Sequence, residues 1–212
     1  MKKTNRTQQK ILTAAKKIYH EVGYTGSTFQ MIAELSNTSK SLINYYYPKK
    51  QDILVDIMSR YLDMIHDYVA SLEKYDTLMT FLLTKTLFIK SLLSDRETSD
   101  FYADVNTRTD RDLGPYLNYL YIYEAINKEF DLGISEEAMM IKCITIFGST
   151  NELLMNYRRK TISLDENQII ELILRDTCSL LQLNNFTVHK YMNELWHEYS
   201  LLERKRFPFF DV

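Results

Sequence analysis

Only five glycines and three prolines interrupt this chain of 212 residues, and between them apolar side chains recur three and four positions apart. Glycine and proline are the strongest breakers of a helix and the commonest residues of tight turns. Their scarcity therefore favours long helices over a turn-rich sheet protein. The reading is an all-α chain. Its 45% apolar and 25% charged residues are ordinary globular composition, enough at this length for one large domain or two small ones. No apolar run approaches the ~20 residues that span a bilayer. The opening MKKTNRTQQK is basic but has no apolar segment of the kind a secretory signal carries. Cys143 and Cys178 have no metal or redox spacing, so both are expected to be reduced, small and buried. The expectation is a cytoplasmic protein with no membrane segment, no cofactor and no metal.

Residues 27–50, STFQMIAELSNTSKSLINYYYPKK, read as two short helices joined by a tight turn. Ser27 and Gln30 have the spacing of a capping box, and Met31, Ile32 and Leu35 share a face. The polar run 36–39 breaks the pattern, because short hydroxyl and amide side chains compete for backbone hydrogen bonds. Ser39 can cap a second helix, in which Leu42, Ile43 and Tyr47 can face inward. Pro48 ends it. Two short helices, the second rich in outward hydrogen-bonding groups, make a helix-turn-helix of the kind that reads DNA. An ordinary helical hairpin with a solvated face has the same local pattern, so the flanks decide.

Charge supports the first reading. Residues 1–50 carry nine lysines and arginines against Glu21 and Glu34, a net +7, which leaves −9 on the remainder. A basic head on an acidic body suits phosphate binding at one end.

Residues 9–54 resemble the N-terminal domain of a TetR-family transcriptional regulator. The resemblance is carried by Ile11, Leu12, Ala14 and Ala15 in a first helix, a Gly23-Tyr24 exit, and Thr28 at the start of the second helix. It continues through Ile32 and Ala33 inside that helix, Ser39-Lys40 opening the recognition helix, the aromatic cluster 45–47, and Lys50. The chain departs from the family at Ser36-Asn37-Thr38, where Ala-Gly-Val is common, and at Ser41, Asn44 and Lys49. The resemblance implies a DNA-binding domain over 5–65, with its motif at about 28–47, and a helical effector-binding and dimerisation domain over 66–212. It also implies that the fourth helix transmits between them. Phosphate contacts are expected from Thr28, Tyr45, Tyr46, Lys49 and Lys50. Base contacts are expected from Lys40, Ser41, Leu42 and Asn44 behind the Ser39 cap: Lys donates to guanine, Asn pairs with adenine edges, and Leu meets a thymine methyl.

The remainder reads as further helices over 51–74, 77–94, a short one within 95–113, then 116–130, 135–159, 165–183 and 186–206. Ser163 with Glu166 looks like a second capping box, and Asp76 and Ser135 like caps. Phe88, Phe101, Tyr102, Tyr116, Tyr119 and Tyr123 are the candidate effector-pocket residues, with plain core packing as the alternative. Helices 135–159 and 165–183 are apolar around much of their circumference. Ile144, Phe147, Gly148, Ile169, Ile173 and Leu180 are accordingly the candidate dimer interface, two helices from each copy forming a four-helix contact. The final segment RKRFPFF can dock on the body or on a partner subunit.

No phosphate loop or nucleophile elbow occurs. Glu194 and His197 form one isolated Glu-x-x-His, where di-iron bundles pair two such elements with further carboxylates. The sequence thus points to a homodimeric regulator, by preference a ligand-responsive repressor, binding double-stranded DNA at an inverted repeat with a small-molecule effector. Control by a protein partner, action as an activator, and an all-helical enzyme are the rival readings.

Overall fold

A computed structural model describes residues 6–93, 96–106 and 119–210. Among them are ten α-helices and no strand. They are α1 (Arg6–Gly26), α2 (Phe29–Ser36), α3 (Lys40–Tyr46), α4 (Lys50–Ala70), α5 (Thr77–Leu93), α6 (Arg96–Asn106), α7 (Leu120–Glu129), α8 (Glu136–Arg158), α9 (Glu166–Leu180) and α10 (Asn185–Leu202). The all-α expectation holds. Tyr116, the Gly114-Pro115 break and the lysines of the first five residues lie outside the described residues.

The chain divides into two compact units. The first holds the described residues of Met1–Tyr61, Leu92–Pro115 and Pro208–Val212. Its core follows the helical period. Ile11, Leu12, Ala15, Ile18 and Tyr19 of α1 are buried, as are Ile32 and Ala33 of α2, Ile43 of α3, and Ile53, Leu54, Ile57 and Tyr61 of α4. Leu35, expected on an apolar face with Met31 and Ile32, stands exposed, as does Val22 of α1.

Gly23 breaks α1. Its φ of 74° lies in the left-handed region that glycine enters without a Cβ penalty. A Cβ there would also come within 3.0 Å of Asp104 Oδ2. Asp104 uses the gap: it accepts from the Thr25 N–H at 2.8 Å and from the Thr25 hydroxyl at 2.5 Å. His20 meets Glu97 at 2.7 Å, and Phe101 stacks on Tyr19 with centroids 5.8 Å apart. Helix α6 is therefore fastened along α1. Phe209, 1% exposed, closes the same core against Tyr61 and Phe101 at 5.1 and 5.2 Å. This gives the RKRFPFF segment one docking place within its own chain.

The second unit holds the described residues of Leu62–Ser91 and Tyr116–Phe207. Helix α5 is its axis, with residues 78–87 all buried. Helix α8 packs on α7 and α9, and α9 on α10. Asp76 caps α5 by accepting from the Met79 N–H at 2.8 Å, and Ser135 caps α8. The capping box of α9 is formed by Asp165 and Gln168, each accepting from the other's backbone N–H at 2.9 Å, and not by Ser163 with Glu166. Asp165 stands three residues before an amide that can reach back, which is the geometry a box requires. Neither Cys143 nor Cys178 is in a disulfide, and both are buried. Burial pushes their thiols up to about 11 and about 12, so both stay protonated.

Candidate nucleic-acid interface

Thr28 is the N-cap of α2, its hydroxyl accepting from the Met31 N–H at 3.2 Å. The cap is therefore one residue later than Ser27. Ser27 is buried instead, and its hydroxyl donates to the Tyr24 carbonyl at 2.7 Å. The turn is made by Asn37 at φ 51°, ψ 47°, a left-handed position that asparagine tolerates better than most residues. Its N–H closes on the carbonyls of Ala33 and Glu34. Ser39 then caps α3, accepting from the Leu42 N–H at 3.1 Å.

Two buried side chains set the facing of α3. Ile43 lies in the core, and Tyr47 is 4% exposed. The Tyr47 hydroxyl donates to Asp56 on α4 at 2.6 Å, and burial together with this bond raises its proton affinity well above the ordinary tyrosine range. With Ile43 and Tyr47 pointing inward, Lys40, Ser41, Leu42, Asn44 and Tyr45 are exposed. Tyr45, at 78%, is among the most exposed large side chains of the chain and meets Tyr46 edge-on at 5.2 Å. Leu42, placed by periodicity among the inward residues, is 37% exposed. Thr28, Ser39 and Lys49 are also exposed.

Lys50 differs from these. Its ammonium donates to the carbonyls of Tyr24 and Ser27 at 2.7 and 2.8 Å and lies over the Tyr24 ring. Periodicity gives no sign of this latch, because both acceptors are backbone atoms more than twenty residues away in sequence. Arg6, Gln9, Lys10, Thr13 and Lys17 of α1 line a surface groove with Leu35 and Ser36 of α2, so basic groups flank the motif.

Residues 11–57 match the family model described as bacterial regulatory proteins, tetR family. The N-terminal domain is a TetR-family domain. Over 54 residues the chain is 33% identical to the HTH-type transcriptional regulator RutR of Escherichia coli K12 and equally to that of Shigella flexneri. Those residues are 26% of this chain and 26% of the relative, so the match spans about a quarter of the relatives' length. Beyond the TetR-family domain the likeness is one of fold. A Thermus thermophilus FadR, a TetR-family repressor in complex with lauroyl-CoA, aligns over 82% of this chain and 93% of its own at TM-score 0.57 and 16% identity. RolR in complex with resorcinol aligns over 88% and 91% at TM-score 0.57 and 13% identity. SmeT, the repressor of a Stenotrophomonas maltophilia efflux pump, aligns over 84% and 90% at TM-score 0.52 and 18% identity.

The other candidate residues are distributed unevenly. Phe101 and Tyr102 belong to the first unit, and Phe88, Tyr119 and Tyr123 to the second. Tyr119 and Tyr123 stack at 6.0 Å, and both meet Phe81 edge-on. Of the interface candidates, Ile169 and Ile173 are buried inside the chain, Phe147 and Leu180 are half-buried, and Ile144 and Gly148 are exposed. Ile141 and Leu172, at 59% and 42%, extend the apolar surface of α8 and α9. No cluster of three His, Cys, Asp or Glu able to hold a metal occurs among the described residues. No single helix among them is long and apolar enough to cross a membrane.

Proposed function

We propose that the chain is a DNA-binding transcriptional regulator and not an enzyme, and that it acts as a homodimer on an inverted repeat. The observation that carries this reading is the exposed face of α3. Ser39 caps it, Ile43 and Tyr47 fix its rotation, and Lys40, Ser41, Leu42, Asn44 and Tyr45 stand outward on a TetR-family domain. A recognition helix needs a rigid support on one side and hydrogen-bonding groups on the other. Lys40 and Asn44 are the base-reading residues and Leu42 the methyl contact, with Thr28, Tyr45, Tyr46 and Lys49 on phosphates. Arg6, Lys10 and Lys17 add backbone charge. Lys50 is assigned to holding the motif in place.

The dimer contact is placed on the outer face of α8, where Ile141 and Ile144 are exposed and Gly148 has open space around its Cβ position. These three stand at i, i+3 and i+7, one stripe of a helix. Repression relieved by a small-molecule effector bound in the second unit follows the neighbours of this fold, FadR with lauroyl-CoA and RolR with resorcinol.

Selection of the full chain on a random DNA pool at two salt concentrations tests the reading. The expected product is an inverted repeat with half-sites about 34 Å apart. Salt-sensitive binding without an enriched sequence would remove the specific-regulator reading, and no binding at either salt would remove the DNA reading altogether.

A further inference from the structure

The second unit buries a lysine that its fold does not need. Lys85, 4% exposed, sits within the ten-residue buried stretch of α5. Its ammonium donates to the Thr177 hydroxyl of α9 at 2.8 Å and, at 3.4 Å, to the Thr150 hydroxyl of α8. Among the described residues no carboxylate lies within ion-pair distance of it. Asp176, Cys143 and Cys178 are its charged or titratable neighbours, and Asp176 is engaged by Ser149. Other lysines of this unit pair with acids, Lys74 with Glu198 and Lys90 with Glu166. Burying an ammonium with only neutral partners is costly, and a leucine or methionine would fill the same space without that cost. Burial accordingly pulls the Lys85 amine down to about 8.

The surroundings of the amine describe a ligand. Phe81, one helical turn before it, lies under the ammonium at 5.7 Å. Phe81 meets Tyr119 and Tyr123 at 6.1 and 5.5 Å. Phe81 and Tyr123 are buried, while Tyr119 and Thr150 are half-buried and lead outward. One cation and two hydroxyls thus stand beside a wall of three rings. Sites of this composition orient an apolar body by its one polar end.

We infer that Lys85, positioned by Thr177, receives with Thr150 the carboxylate of a small monocarboxylic acid whose apolar body lies against Phe81, Tyr119 and Tyr123. The inference rests on the effector-response reading above and names its ligand class. The carboxylate supplies the counter-charge that the fold omits, and it accepts hydrogen bonds from the ammonium and from the Thr150 hydroxyl, while the Thr177 hydroxyl donates to the Ile173 carbonyl at 2.8 Å and holds the ammonium by its oxygen. A desolvated cation also discriminates sharply against a neutral isostere.

Melting of the full chain with benzoate and octanoate, against benzamide and octanamide, tests the class. At least one acid at 100 times its dissociation constant should raise the melting temperature by about 5–10 °C, its amide should not, and Lys85→Met should lose the response. Equal response to acid and amide, no response to either acid, or an unchanged response in Lys85→Met each overturns the inference. The acid-against-amide comparison needs no variant to fold. Release of the selected operator, read by fluorescence anisotropy, separates this from the regulatory reading. Acid binding through Lys85 without release would keep the anion site and remove effector control. Release by the amides alone would keep effector control and remove the anion site.

Discussion

The ammonium of Lys50 lies 4.4 Å from the ring centroid of Tyr24 and donates to that residue's own carbonyl at 2.7 Å. A second bond to the Ser27 carbonyl at 2.8 Å ties the start of α4 to the link between α1 and α2. The presentation of α2 and α3 thus depends on a charge that sequence resemblance assigns to phosphate. Lys50→Ala should lower the stability of the N-terminal unit by about 1–3 kcal/mol, the cost of leaving partly buried carbonyls unpaired. It should leave the salt dependence of DNA binding nearly unchanged. Denaturant unfolding and a salt titration of operator affinity measure the two. A salt slope lower by about one would put a phosphate on the third ammonium hydrogen and restore the contact role.

Asn44 carries the specificity side of the same reading. It is exposed on α3 one residue after buried Ile43. Asn44→Ala should weaken binding to the selected operator by about 1–3 kcal/mol and relax the preference at a single base pair per half-site. Affinity for unrelated DNA should stay as it was. Repeating the selection with the variant reads this directly, and a uniform loss across all sequences would move Asn44 to a phosphate.

The motif was legible because it is local. The Ser39 cap, buried Ile43 and Tyr47, and the outward Lys40, Ser41 and Asn44 all follow from a 3.6-residue period over one short helix. The Ser27–Thr28 difference is a one-residue slip of the kind helix ends permit. What could not be read were partners distant in sequence. Asp104 on Thr25, Glu97 on His20, and Phe209 between Tyr61 and Phe101 join segments separated by some eighty or more positions. No periodicity encodes such pairs. Ile169 and Ile173 of α9 are buried within the chain, and periodicity does not say which apolar stripe a neighbour already covers. Lys85 did leave a signal, a charge inside the apolar run FLLTKTLF.

The apolar stripe of α8 gives a test of assembly. Ile144→Glu places a carboxylate beside exposed Ile141 and, across a two-fold contact, near its own copy. Lost burial of about 1.5–3 kcal/mol per isoleucine is then compounded by like-charge repulsion. The variant should sediment as a monomer at micromolar concentration with its helical content intact, and it should lose operator affinity at least tenfold. An unchanged dimer would place the contact on another face.

Lys85 has a signature in pH that needs no ligand. Its amine is pulled down to about 8 by burial, while in the unfolded chain it titrates near 10.4. Between these values the unfolded state holds the proton that the folded state has released, so this group's contribution to stability rises with pH through that window. Below about 8 the burial penalty is fully present; above about 10.5 it is gone. Lys85→Met removes the penalty, so the variant should exceed the parent by on the order of 3 kcal/mol at pH 7, and the advantage should shrink steadily towards pH 10.5. The raised thiols of Cys143 and Cys178 and the raised hydroxyl of Tyr123 act in the opposite direction above their ordinary values. They are present in both proteins, so they largely cancel in the difference. Denaturant unfolding of both proteins at pH 7, 8, 9 and 10 gives the curve. A constant difference would mean that the amine is not desolvated in the folded chain, and a parent more stable than the variant at pH 7 would make Lys85 a structural residue and not a binding one.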